Sequence, residues 1–300
     1  MPRSLNEYSR RDWMRIRPVL ERYKMARYSA RVAWHVRRRA LVGDPAAVTR
    51  SIKDRRVLIS IAFDDPQLVR WQTDLVRLHV RDCVHLIIDN SSDDQAARRI
   101  EAEARARDLF YLRLAANPWK DLESGRAHGL AMSWTWRHII KPGAPGAFGF
   151  VDHDLFPTED TDPFAPLQTV PVCGRLVGGA GRRWSLWAGF CFFRFDAVAR
   201  SRLDFRLDWY AGLDTGGCNW QRLYRHIDRG MIPAVTVRRE AALLGRPIED
   251  CYFEWVGSWL HEKRFNQPFE FRPQKREVLA CRLATLSAGT NPVHCQPDVA

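Results

Sequence analysis

Residues 56–63 read Arg-Val-Leu-Ile-Ser-Ile-Ala-Phe, a β-branched run that is apolar on both faces. A strand of this kind must be covered on both sides, which requires helices packed over a sheet rather than a half-solvated ribbon. The sequence that follows supplies the cover. Asp64-Asp65-Pro66 offers a capping carboxylate and a first-turn proline to an amphipathic stretch running to about Val80, with Leu68, Trp71, Leu75 and Leu78 on one side. Val84–Asp89 is a second strand and ends in the polar turn Asn90–Asp94. A helix rich in Ala, Arg and Glu then runs to Arg107, Leu109–Leu114 is a third strand, and Arg126–Ile140 a third helix. Phe148–Val151 is the fourth strand and runs into Asp152-His153-Asp154. The order β-α-β-α-β-α-β predicts an α/β sheet with right-handed crossovers. Ligands of such sheets bind beyond the C-terminal strand ends. Asp64, Asp65, Asp89–Asp94, Asn117 and Asp152–Asp154 collect there.

The second half changes character. Val170–Val177 and Trp184–Phe195 are strand-like and joined by Gly178-Gly179-Ala180-Gly181-Arg182-Arg183, which reads as a hairpin loop or a phosphate cradle. Leu203–Trp220 is turn-rich and aromatic, and Cys251–Trp259 is another apolar segment. Three hundred residues, 46% hydrophobic and 27% charged, suffice for a buried core and exclude a disordered chain. No apolar run approaches the roughly 18–20 residues of a membrane span. The first apolar stretch is broken by Arg15 and Arg17, unlike a secretory signal. Seven cysteines, no two closer than 14 residues, give neither a disulfide framework nor a CxxC zinc site, so a reduced, cytoplasmic compartment is expected.

The formal charge of +12 is uneven. Residues 1–56 hold 16 Lys and Arg against 5 Asp and Glu, and the remainder is near neutral. Two helical stretches are expected in this extension, Leu5–Arg17 and Val19–Leu41, divided by Pro18 and ended near Gly43-Asp44-Pro45. Leu20, Tyr23, Ala26, Ala30, Ala33 and Trp34 share one helical face, and most of the arginines lie off it. An arginine-flanked strip with Trp suits an anionic membrane surface. The same charge would draw nucleic acid, and a helix pair packed on the main domain is the alternative without a partner.

Asp152-His153-Asp154 aims two carboxylates at one rim of the sheet. Such a pair repels unless a proton or a cation sits between its members, and Mg²⁺ or Mn²⁺ takes oxygen ligands while sharing them with substrate phosphates. A solvated turn is the competing reading of the triplet. The chain has no G-x-G-x-x-G, no P-loop and no G-x-S-x-G, which disfavours a dinucleotide-dependent dehydrogenase, a P-loop ATPase and an elbow-type hydrolase.

The run VLISIAF, HLIIDNSSDD, FYLRLAANPWKDLESGRAHGLAMSWTW and GFVDHDLFP, followed by WAGFCFFRFD, resembles the GT-A-fold glycosyltransferases of the family 2 type. The likeness covers about 56–265 and rests on the order and spacing of these segments. It implies a Rossmann-like nucleotide-diphospho-sugar transferase sheet, with a nucleotide-sugar half at 56–157 and an acceptor half at 158–270. A basic helical extension at 1–55 precedes them, and a C-terminal helix and tail at 271–300 follow. It further implies that Asp64 and Asp89 flank the nucleoside, that His128 faces the diphosphate, and that Asp152 meets the ribose and the metal. Asp154 would then be the more direct ligand of Mn²⁺ or Mg²⁺, and His261 would return to the same ion. An inverting enzyme needs a carboxylate opposite the leaving diphosphate; Asp214, before Thr215-Gly216-Gly217, is the chosen base and Asp208 its rival. Twelve tryptophans are many for this length, and Trp187 and Trp220 are the acceptor-site candidates.

The function expected is metal-dependent transfer of a sugar from a nucleotide-diphosphate donor to an acceptor hydroxyl, with inversion. The acceptor would be a carbohydrate or a lipid-linked one. Residues 1–50 would hold the protein at the inner face of the plasma membrane, and nucleic acid is the less favoured partner. Two other functions compete. A sugar-phosphate nucleotidyltransferase is disfavoured because Phe63-Asp64-Asp65-Pro66 replaces its glycine-rich basic loop. An adaptor with a non-catalytic α/β domain predicts that Asp152 and Asp154 are dispensable.

Overall fold

A computed structural model of the chain describes residues 5–119, 124–243, 245, 247–249, 251–263 and 269–287. The tail expected after about Gly289, with Cys295, and the segment 120–123 of the family-like run lie outside these residues. After a 3-10 turn at Leu5–Glu7 come α1 (Arg10–Met14), α2 (Arg17–Val36) and α3 (Pro45–Ser51). The α/β core follows: β1 (Arg56–Ala62), α4 (Pro66–His79), β2 (Val84–Asp89), α5 (Asp94–Ala106), β3 (Phe110–Arg113), α6 (Ser124–Thr135), α7 (Lys141–Gly143) and β4 (Ala147–Asp152). Next are β5 (Leu155–Pro157), β6 (Val172–Gly178), β7 (Trp184–Arg194), α8 (Phe195–Val198), β8 (Val237–Ala241), β9 (Tyr252–Val256), β10 (Trp259–His261) and α9 (Arg272–Ser287).

The strands form two sheets. The first has the order β3-β2-β1-β4-β7-β6. Its first four strands are mutually parallel and β7 is antiparallel to both neighbours. The second, β5-β10-β9-β8, is antiparallel throughout. The mixed α/β, parallel-rich sheet is the one expected. Every residue of β2 is buried, as is every residue of β1 after Arg56. One face packs Val57, Ile59 and Ile61 against Trp134 and Ile139; the other packs Leu58 and Val151 against Val76, Phe192 and Trp259.

Local chemistry sets the boundaries. The Asp65 carboxylate accepts from Leu68 N at 3.2 Å and Pro66 opens α4, a cap contributing about 1 kcal/mol. Leu78, expected on the buried face, is exposed, because that face is carried by Leu68, Val69, Leu75 and Val76. The third helix begins earlier than expected and passes through a π segment at Trp136–Ile140.

The extension differs more. Pro18 lies inside the first turn of α2, where its missing N–H costs nothing. The break falls at Ile16, whose φ of 49° is a strained left-handed value for a β-branched residue. The helix then ends at Val36, and Asp44 caps the separate α3 by accepting from Ala46 N at 2.8 Å. The face of α2 that packs down is Met25, Tyr28, Val32 and Val36, and Tyr28 meets Trp119 edge to face with centroids 5.2 Å apart. The expected strip is on the outside: Leu20, Tyr23 and Trp34 are all exposed. Val48 and Ile52, by contrast, belong to the main core. At the other end Val278, Leu279 and Leu283 of α9 pack on Leu68, Leu75 and Phe253. Cys83, Cys173, Cys191 and Cys218 are thiols; Cys281 is disulfide-bonded, against the expectation of a wholly reduced chain.

Candidate active site

A cavity of about 510 Å³ opens over the C-terminal ends of β1 and β4. Its walls come from Ile61 of β1 and Phe63 just past it, the first turn of α6 (Gly125–His128), Asp152–Asp154, Arg175 and Val177 of β6, and Trp187–Gly189 of β7. Asp214, Thr215, Glu254, His261 and Lys263 complete it.

At its floor Asp152, Asp154 and His261 each offer one ligand atom, all within 4.8 Å of one another. Asp152 and Asp154 arrive together because β4 ends there. His261 arrives because β10 pairs with β5, placing His261 opposite Leu155, one residue past Asp154. His261 Nε2 is 3.3 Å from Asp154 Oδ1, while Nδ1 is 3.8 Å from Glu254 Oε1 and has no hydrogen bond among the described residues. A carboxylate behind the outer nitrogen of a histidine is the pattern that orients imidazole toward a metal.

The electrostatics favour a cation. Burial pushes the Asp152 carboxyl up; His128 opposes this and Asp154 adds to it. Burial works against a charged His261, yet Asp154 and Glu254 outweigh it and push His261 up to about 9. Two carboxylates therefore hold a proton on an imidazole where a divalent ion could take its place. An O/O/N donor set suits Mn²⁺ or Mg²⁺. The residues fit the ion.

The turn is braced from beneath. Gln72 is fully buried and its Nε2 donates to Asp152 O at 2.6 Å and Leu155 O at 2.7 Å. Ser60 Oγ donates to Gln72 Oε1 at 2.6 Å and lies 2.9 Å from His85 Nε2. Gly189 makes room above: a Cβ there would lie 2.3 Å from Asp152 Oδ2 and 2.4 Å from Trp187 Cζ2.

Other expected residues fall in several places. His128 is in the cavity, with Nδ1 3.5 Å from Asp152 Oδ1 and a buried Nε2 lacking a partner among the described residues. Asp214 is exposed to the cavity, and its Oδ1 accepts from Thr215 N at 2.7 Å. Its rival Asp208 is buried and caps a 3-10 turn, accepting from Ala211 N. Trp187 lines the cavity, with its ring centroid 4.9 Å from that of His261 and 5.0 Å from the Arg175 guanidinium. Trp220 lies instead in a second cleft.

Asp64 and Asp89 reach the right strand ends but are not among the cavity-lining residues. The Asp64 carboxylate accepts from Ser92 N, Ser92 Oγ and Asp93 N at 2.5–2.9 Å, tying the ends of β1 and β2 together. Asp89 is fully buried and accepts from Tyr111 Oη at 2.5 Å and Ser91 N at 2.8 Å. Asn90, next to it, is the residue that lines the cavity.

Sequence reasoning passed over Glu254, Arg175, Lys263 and Arg126. Glu254 is nearly inaccessible and binds Arg175 at 2.8 Å and Lys263 at 3.0 Å. Burial opposes its charge, but these partners and His261 hold its carboxyl well below the usual range. A lone carboxylate in the apolar run Tyr-Phe-Glu-Trp-Val was the available signal for it. The Arg126 guanidinium lies 4.2 Å from the Trp209 ring centroid and 5.2 Å from that of Tyr28, linking the cavity rim to α2.

No family model matches the chain, and no curated protein matches its sequence. The solved structures to which it is similar include glycosyltransferases. One is the mannosyltransferase PcManGT of Pyrobaculum calidifontis in complex with GDP-Man and Mn²⁺: 13% identity and a TM-score of 0.35, over 59% of this chain and 53% of that one. Another is glucosyl-3-phosphoglycerate synthase of Mycobacterium tuberculosis in complex with Mn²⁺ and UDP-Glc: 13% identity and a TM-score of 0.41, over 85% and 86%. The glycosyltransferase GlyE of Streptococcus pneumoniae TIGR4 matches at 10% identity and 0.31, over 49% and 35%. The chain thus spans about half and one third of the first and third of these.

Proposed function

We propose that this chain is a metal-dependent glycosyltransferase that moves a sugar from a nucleoside-diphosphate donor to an acceptor hydroxyl, with inversion. The observation that carries the reading is the Asp152–Asp154–His261 group on the floor of a cavity at the strand ends. Asp152, Asp154 and His261 would hold Mn²⁺ or Mg²⁺, which when bound neutralises charge gathering on the leaving diphosphate. Arg126 and His128, in the first turn of α6, supply further positive and polar groups for that diphosphate. Asn90 and Phe63 offer hydrogen bonding and an apolar face for the nucleoside. Asp214 takes the proton of the acceptor oxygen as it attacks the anomeric carbon, whose transition state is oxocarbenium-like. Trp187 gives the sugar a flat aromatic face.

In the same reading α1 and α2 lie on an anionic membrane surface at the inner face of the plasma membrane. Trp13, Met14, Ile16, Val19, Leu20 and Tyr23 are exposed around the α1–α2 elbow and interleaved with Arg15, Arg17 and Arg22. No described helix is long and apolar enough to cross a membrane.

The test is turnover of nucleotide-sugar donors with and without Mn²⁺ in the wild type, Asp152→Asn and Asp154→Asn. The reading expects metal-dependent turnover that both substitutions abolish while the fold persists. Silent substitutions, with activity lost only on removal of residues 1–50, would favour the adaptor.

A further inference from the structure

The loop Gly178–Arg183 has no part in the chemistry above, yet it builds a second cleft. It closes the β6–β7 hairpin, with Gly179 N donating to Arg183 O at 2.8 Å. Its arginines, Arg182 and Arg183, share an open cleft of about 700 Å³ with Tyr210, Trp220 and Arg225 and, from the N-terminal extension, Glu7. Three arginines and one carboxylate line it. Arg225 donates to Gln221 Oε1 at 2.8 Å. The side chains of Arg182 and Arg183 make no hydrogen bond or ion pair with any described residue. Guanidinium groups without a partner among the described residues, beside an aromatic ring on a concave surface, have the chemistry to take an anionic ester. Their planar donor forks match the oxygens of a phosphate.

The cleft and the catalytic cavity share two walls. The hairpin passes from Val177 in the cavity to Ala180 in the cleft, three residues or about 10 Å at strand rise. The second wall runs from Tyr210 in the cleft to Asp214 in the cavity. It is fastened to the first by Ala180 N donating to Ala211 O at 2.7 Å. A molecule anchored at Arg182 and Arg183 can therefore extend along these walls toward Asp214.

We propose that the cleft binds a phosphate ester carried by the acceptor, holding it so that its hydroxyl reaches Asp214. This rests on the glycosyltransferase reading of the main cavity and names the class of acceptor that reading leaves open. Trp220, set apart from the cavity, then lines the path of the acceptor.

Calorimetric titration of the full chain with glycerol 1-phosphate, glycerol and dihexanoyl phosphatidic acid tests this. The expected result is saturable binding of a phosphate-bearing probe, none of glycerol, and at least about tenfold weaker binding in the double variant Arg182→Gln/Arg183→Gln. Both arginines sit on a loop, and an unchanged unfolding midpoint shows that the variant is folded. Binding of glycerol 1-phosphate assigns a soluble phosphorylated acceptor; binding of the phosphatidic acid alone assigns a lipid phosphate. Asp154→Ala should leave probe binding unchanged. Equal binding by the double variant and the wild type, or no binding of either phosphate probe, would overturn the proposal. Those outcomes leave the Mn²⁺-dependent nucleotide response of the main cavity untouched, so the two readings fail separately.

Discussion

The wall of the cavity formed by β1, β4 and α6 rests on strands buried on both faces, and its polar residues project from strand ends. The facing wall, from β6, β7, the segment 204–220 and β9–β10, is built of antiparallel hairpins joined to the rest of the chain by the long-range pairings β4–β7 and β5–β10. Its charges hold one another: Glu254 takes Arg175 and Lys263 and stands behind His261. In the proposed reading the first wall is the platform that carries Asp152 and Asp154 for a metal and faces a diphosphate, and His261 reaches the same ion from the second. The second is a charge network that can be altered one member at a time. Substitutions should reveal this difference.

The largest effect should follow loss of a ligand on the platform. Asp154→Asn should lower metal-dependent turnover on the order of 10³-fold, about 4 kcal/mol, by steady-state kinetics. The platform also has a pH limit of its own. His85 is buried beneath the Gln72 brace, and burial lowers it from 6.5 to about 4. Between those values the unfolded chain binds a proton that the folded chain refuses, so stability falls as pH drops from about 6.5 to about 4. The loss should approach about 3 kcal/mol for this group in denaturant titrations. A flat profile across that window would show that the brace tolerates an imidazolium.

On the opposite wall Asp214→Asn should cost about 10²-fold in turnover and leave nucleotide binding with Mn²⁺ unchanged, a split that a structural aspartate would not give. The smallest effect is expected of Glu254→Gln. It keeps the shape of the network but weakens the hold on His261, and should reduce Mn²⁺ affinity about tenfold. An equal loss in Glu254→Gln and Asp154→Asn would erase the distinction between the walls.

The same contrast explains what was legible in the sequence. Asp152 and Asp154 could be read because a buried apolar strand, here Ala147–Val151, delivers whatever follows it to the rim of a sheet. Asp64 and Asp89 were placed at the correct strand ends by the same logic, but periodicity says nothing of where a side chain turns next. Both carboxylates bind the loop Ser91–Asp93 or Tyr111 instead of facing the cavity. His261 was accessible only through family resemblance, and Glu254, Arg175 and Lys263 not at all. Their approach depends on the pairing of β10 with β5 and on a register shift in β6 between Gly174 and Leu176. In α2 the pattern pointed to the strip with Leu20, Tyr23 and Trp34, but the side that faces Trp119 and Leu130 carries Tyr28, Val32 and Val36, and periodicity alone does not say which face meets the domain.

The most direct measurement is thermal unfolding of the full chain with UDP, GDP, CDP or dTDP, each with and without Mn²⁺, in the wild type and Asp154→Ala. A ligand at about 100 times its dissociation constant stabilises the native state by roughly 2.7 kcal/mol. For a domain of this size that raises the midpoint on the order of 5–10 °C. The account predicts such a rise with at least one nucleotide, dependent on Mn²⁺ and absent in Asp154→Ala. A rise that survives in Asp154→Ala, or no rise with any nucleotide, would contradict it.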